Sequence, residues 1–111
     1  MNTGIWPADV VERQLTAYNA HDLESFADTY AEEVRIRYPD GSVIEGRQAL
    51  REAYAGQFAE GRCRAEITGR LTEGDWVIDH EVAHGIAAEP VRVLVAYRVR
   101  DGRIDRVDFL G

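Results

Sequence analysis

The stretch TEGDWVIDHEVAHG, residues 72–85, decides how this chain is read. As a strand it points alternate side chains to opposite faces. One face carries Trp76, Ile78, His80, Val82 and His84, the other Val77, Asp79, Glu81 and Ala83. The preceding turn sets which face meets the core, because turn length fixes hairpin parity. A two-residue Glu73-Gly74 loop sets Leu71 opposite Trp76 and Ile67 opposite His80. A three-residue Thr72-Glu73-Gly74 loop with Gly74 left-handed sets Ile67 opposite Asp79 and Ala65 opposite Glu81. The even-numbered face holds more apolar area and favours the first loop. From the residues alone both parities stand.

On either side of this stretch the period is two. Cys63, Ala65, Ile67 and Leu71 alternate with arginines and acids, and Val91, Val93, Val95, Tyr97 and Val99 do the same after it. Asp101-Gly102 predicts a tight turn into a last strand from Ile104 to Leu110. Upstream, Val34, Ile36 and Tyr38 form a further strand, which Pro39-Asp40-Gly41-Ser42 turns back into Val43-Ile44.

Three helices are expected in the N-terminal half. Trp6-Pro7 opens the first, with Val10, Val11, Gln14, Leu15 and Tyr18 on one stripe. Asp22 caps the second, whose buried face reads Leu23, Phe26, Ala27 and Tyr30. The third follows Gly46, with Leu50, Ala53, Tyr54 and Phe58 on one face, and ends at Gly61. Helices segregated from a run of long strands define an α+β domain. We expect one domain over residues 1–111, with three helices on a strongly curved mixed or antiparallel sheet that forms a cone around a pocket.

Composition narrows the function. The 111 residues include 13 basic and 20 acidic side chains, a net charge of −7, which argues against a nucleic-acid partner or an anionic membrane surface. No apolar run approaches the roughly 18 residues of a membrane span, and MNTGIWPADV lacks the features of a signal peptide, so a cytoplasmic location is expected. Cys63 is the single cysteine and reads as a buried apolar residue. His80 and His84 sit about 13 Å apart along one strand face, too far to chelate one ion, so no metal is expected. Neither a phosphate-cradling loop nor a Ser-His-Asp motif occurs, and no cofactor is expected.

The phrases AYNAHDLESFADTYAEEVRIRYPDG, IEGRQALREAY and YRVRDGRIDRVDFL, taken with the element order, resemble the nuclear-transport-factor-2-like superfamily of ketosteroid isomerases and SnoaL-like polyketide cyclases. The resemblance implies a cone with a ligand pocket and a homodimer through the sheet. It also implies that the cavity-lining positions of the 72–85 strand are Val77, Asp79 and Glu81. The ketosteroid isomerase catalytic positions match Tyr38, Gln14 and Val95 here, so that enzyme's steroid mechanism does not carry over. Its supporting tyrosines match Tyr30 and Tyr54. The water-activating arginine and aspartate of limonene epoxide hydrolase match Glu81 and Ala83, and that constellation is missing too.

With the odd-numbered face inward, Asp79 and Glu81 stand about 7 Å apart in an apolar cavity. Burial and mutual repulsion then raise at least one carboxyl pKa toward neutrality, as a general base requires. Expected catalytic residues are Asp79, Glu81 and Tyr38, and expected substrate-binding residues are Tyr18, Tyr30, Tyr54, Phe58, Val95 and Tyr97. Phenolic donors beside a base suit proton abstraction next to a carbonyl: isomerisation, aldol-type cyclisation or dehydration. The competing readings are ion pairs from the two acids to sheet arginines, a non-catalytic ligand-binding or assembly domain, and a sheet that recruits another protein.

Overall fold

The computed structural model describes residues 6–111; Met1–Ile5, the start of the stretch read for a signal peptide, lie outside the described residues. The chain runs α1 (Pro7–Asn19), α2 (Leu23–Asp28), β1 (Tyr30–Arg37), β2 (Val43–Glu45), α3 (Arg47–Glu60), β3 (Arg64–Glu73), β4 (Trp76–His84), β5 (Val91–Arg100) and β6 (Arg103–Phe109). The strands form one sheet in the order β2-β1-β6-β5-β4-β3. Only β1 and β6 pair in parallel, so the sheet is mixed. It curls around the helices without closing, and β2 and β3 are its free edges. No helix among the described residues is long and apolar enough to cross a membrane.

The starts of α1 and α2 and the end of α3 fall where the sequence marks them. Pro7 occupies the first turn of α1, and Val10, Val11, Gln14, Ala17 and Tyr18 are buried. The Asp22 carboxylate caps α2 by accepting from the Ser25 amide at 3.2 Å. Gly61 closes α3 in the left-handed region, φ 69°, with its N–H donating to the carbonyls of Gln57 and Phe58. The C-terminal end of α1 is pinned to β3 by Asn19. Its amide donates to the Ala65 carbonyl at 3.0 Å and accepts from the Ala65 N–H at 2.7 Å, as a neighbouring strand would.

Two expectations need correction. Tyr30 belongs to β1, not to α2. The helix stops at Asp28 because the chain must extend there to pair with β6, with the Ile104 N–H donating to the Thr29 carbonyl at 2.9 Å. Tyr30 is buried all the same, at 3% exposure.

The β3–β4 hairpin follows neither predicted register. Glu73 pairs with Trp76, so the loop is Gly74-Asp75, and Arg70 lies opposite Asp79. A bulge at Thr68 then shifts the ladder, so that Ile67 faces Glu81 and Ala65 faces Ala83. The extra residue lets Ala65, Ile67 and Arg70 all face the helices, and it turns Leu71 out to 72% exposure. Val77, Asp79, Glu81 and Ala83 are thereby the helix-side face of β4.

Arg70 ties three elements together. Its guanidinium holds both Asp79 oxygens, Nε–Oδ1 at 2.6 Å and Nη2–Oδ2 at 3.0 Å, and its Nη1 donates to Glu12 of α1 at 3.0 Å. Asp79 is 1% exposed, so its charge depends on this fork for compensation. Arg70→Met should destabilise the fold by roughly 3–5 kcal/mol, and adding Asp79→Leu should recover most of that, because the cost lies in the orphaned charge. Urea unfolding midpoints of the two variants check this.

Candidate active site

The concave side of the sheet and the three helices enclose a cavity of about 220 Å³. Helices α1 to α3 contribute Gln14, Leu15, Tyr18, Phe26, Ala53, Tyr54 and Gln57. The strands and the turn after β4 contribute Tyr30, Ile36, Ala65, Glu81, Ala83, Ile86, Tyr97, Val107 and Phe109, with Tyr38 just beyond β1. All five tyrosines of the chain line it.

The rings form two walls. Tyr18, Phe26, Tyr54 and Phe58 pack edge-on or tilted, with centroids 5.1 to 6.5 Å apart. Tyr38 stacks on Phe109 at 4.9 Å and 10° between planes. Polar atoms are anchored within these walls. The Tyr18 hydroxyl donates to the Gln57 Oε1 at 2.5 Å, and Gln14 hydrogen-bonds Tyr30. The hydroxyls of Tyr38 and Tyr54 lie 3.2 Å apart. Burial raises the pKa of both phenols, and either hydroxyl can donate to the other. Whichever hydroxyl accepts keeps its own proton available to a ligand.

Glu81 is the acid of the cavity. Burial first, and then the negative charge of Asp79, push its carboxyl up to about 7. The phenols of Tyr18, Tyr30, Tyr54 and Tyr97 are held well above their ordinary value, chiefly by burial, and Glu81 adds to this at Tyr18, Tyr30 and Tyr97. They are neutral donors throughout the physiological range.

Of the residues expected to form the site, Glu81, Tyr38, Tyr18, Tyr30, Tyr54 and Tyr97 line the cavity. Asp79, Phe58 and Val95 do not. Asp79 lies one strand step from Glu81 with both oxygens taken by Arg70, so the ion-pair reading describes one carboxylate and the cavity reading the other. Phe58 stands behind Tyr18 and Phe26, and Val95 is fully buried opposite Asp79 in the ladder. Gln57 and Phe109 were missed. Gln57 shares the α3 face of Tyr54 at i+3 spacing, which was a usable signal. Phe109 needs the sheet order to reach Tyr38, which local sequence does not reveal.

The histidines stay outside the cavity lining. His80 meets the Thr68 hydroxyl at 2.6 Å, His84 meets Glu66 at 3.4 Å, and the His21 Nε2 lies 2.7 Å from the Cys63 carbonyl. Among the described residues, no group of three or more His, Cys, Asp or Glu is placed to hold a metal ion.

This geometry sits in a recognisable family. Residues 11–107 match the SnoaL-like domain, and the chain belongs to that family. Its fold is that of an NTF2-like protein from Cytophaga hutchinsonii, 16% identical with a TM-score of 0.85 over 98% of this chain and 92% of the other. A candidate polyketide cyclase from Sinorhizobium meliloti is 19% identical, TM-score 0.79, over 91% and 93% of the two chains. A computationally designed 17-OHP binder is 23% identical, TM-score 0.83, over 95% and 93%. At these identities the likeness is one of fold. No curated protein sequence matches the chain.

The Glu81 carboxyl links stability to pH. Its folded-state pKa is raised, so the stability it contributes is full below the ordinary carboxylate range and is lost as pH rises through about 7. Glu81→Gln escapes that loss. The variant should therefore be more stable than the parent at pH 8, by on the order of 2 kcal/mol, with little difference near pH 4.5. Urea titrations at both pH values check the sign.

Proposed function

We propose that this chain is a small cofactor-free enzyme of the isomerase or cyclase type, acting by acid–base chemistry on a small apolar carbonyl compound held in the aromatic cavity. The observation that carries this reading is a carboxyl tuned to about 7 that faces five tyrosines. Ionised Glu81 takes a proton from the carbon next to the carbonyl. The C–H electron pair becomes the enolate double bond, and the carbonyl electrons move to oxygen. The proton left free by the Tyr38–Tyr54 hydroxyl pair stabilises that oxygen. Returning the proton at another carbon isomerises the substrate. Attack of the enolate on a second carbonyl closes a ring. Asp79 and Arg70 act from behind, Asp79 by keeping Glu81 basic enough to work.

Exchange of α-protons tests this without a known substrate. In deuterated buffer, 2-tetralone should lose its α-protons faster with the protein than without it. The protein-dependent rate should rise with pH and level off above about 7. Glu81→Gln should lower it by about 10²- to 10⁴-fold, the usual worth of a positioned base. Binding without exchange would favour the second reading, a non-catalytic small-ligand-binding domain, which the fold likeness to a designed binder supports.

We also propose that the sheet face turned away from the helices joins two copies into a homodimer. Leu71 is 72% and Leu94 44% exposed there, next to partly exposed Ile78. Sedimentation should give a dimer for the parent and a monomer for Leu94→Glu.

A further inference from the structure

The charge pattern around the cavity points beyond the general reading to a substrate class. Among the described lining residues Glu81 is the single charged group, and none is Arg, Lys or His. The Arg70 guanidinium is outside the lining and is committed to Asp79 at 2.6 and 3.0 Å and to Glu12 at 3.0 Å. At the rim, Gln57 also borders an outer groove whose Arg62 is paired with Glu60 at 3.0 Å. The groups that bear on Glu81 are Asp79 on its own strand and the phenols of Tyr18, Tyr30 and Tyr97 on α1, β1 and β5. One is an anion and the others are neutral. No cation among the described lining residues compensates an incoming negative charge.

Shape adds a second restriction. A cavity of about 220 Å³ is smaller than the roughly 300–1,000 Å³ of drug-sized sites, and the parallel Tyr38–Phe109 stack forms one flat wall. We infer that the site takes uncharged, flat carbonyl compounds of one or two rings and rejects their carboxylate or phosphate counterparts, with Glu81 acting as the charge filter as well as the base. The natural substrate would then reach the enzyme as a free neutral ketone or aldehyde, after any acidic carrier or phosphate had been removed. This inference rests on the proposed inward role of Glu81, but it concerns binding and not proton transfer.

A matched pair of probes tests it. In 2-acetylnaphthalene and 2-naphthoate the ring is the same, and a neutral methyl ketone replaces a carboxylate of nearly the same shape. With the purified protein at pH 8.5, the ketone should bind at least about 30-fold more tightly, because two like charges a few ångströms apart in a poorly solvated site repel strongly. In Glu81→Gln, its fold verified by circular dichroism, the gap should fall below about threefold. Equal or tighter binding of 2-naphthoate to the parent would overturn the inference. So would a gap that Glu81→Gln leaves unchanged, since the filter would then not be Glu81. Failure of both this pair and the smaller acetophenone–benzoate pair to bind would overturn it as well. The two proposals fail separately. Ketone preference without α-proton exchange removes the catalytic role alone, and exchange without a charge preference removes the filter alone.

Discussion

One unpaired residue, Thr68, governs the chemistry of this fold. Strand side chains alternate strictly, so a hairpin that starts with Arg70 opposite Asp79 cannot also put Ile67 opposite Glu81 unless a residue is added to one strand. The bulge supplies it. Below the bulge β3 offers Arg70 to Asp79, and above it β3 offers small and apolar Ala65 and Ile67 beside Glu81 and Ala83. The two acids of β4 share a face but meet different neighbours, a bidentate cation in one case and an aromatic cavity in the other. Thr68 itself is retained on the outside, with its hydroxyl against His80.

That difference in neighbours separates the roles of two chemically similar side chains. Asp79 holds β3, β4 and α1 together through Arg70, and its charge cannot reach a ligand directly because both oxygens are engaged. It can still act through space on Glu81, one strand step away, where it adds to the effect of burial. A lone buried glutamate would depend on desolvation alone. With a fixed anion behind it, its affinity for a proton is set by a part of the structure that does not move with the ligand. Environment here separates neighbouring carboxylates into one held by a guanidinium and one with a raised pKa, the arrangement that the proposed base near neutral pH requires.

The element order and the α+β class were legible in the sequence, because periods of 3.6 and 2 and the glycine and proline signals are local. The inward face of β4 was implied by the family resemblance and not by the residues alone. What was not legible was non-local. Tyr30 reads equally well as the last residue of a helical stripe or the first of a strand, and only its parallel pairing with Ile104 decides. Leu71 fits the alternation of β3, but a bulge three residues upstream reverses it. The aromatic residues of the site were mostly found, since each helix and strand names its own inward face. Phe58 and Val95 show the limit: both face inward, but a side chain can be on the right face and still be covered by its neighbours. Phe109 shows the converse, as it reaches the cavity because the last strand is inserted between β1 and β5.

Placing Glu81 in the cavity works against stability, and the rest of the fold absorbs that cost. An ionised carboxylate among aromatic rings is a poor use of core volume for folding, where a glutamine or leucine would serve better. Around it the structure is well tied: Asn19 clamps α1 to Ala65, Arg70 spans three elements, and the phenols of Tyr18, Tyr30, Tyr38 and Tyr54 are hydrogen-bonded to Gln57, to Gln14 or to one another. These contacts also hold the donors in place before any ligand arrives, so in the proposed reaction reorganising them would cost little as charge develops on a bound oxygen. The same contacts that compensate for a destabilising acid therefore also fix the cavity wall around it, and a variant relieved of the acid would keep the scaffold while losing the group on which the proposed chemistry depends.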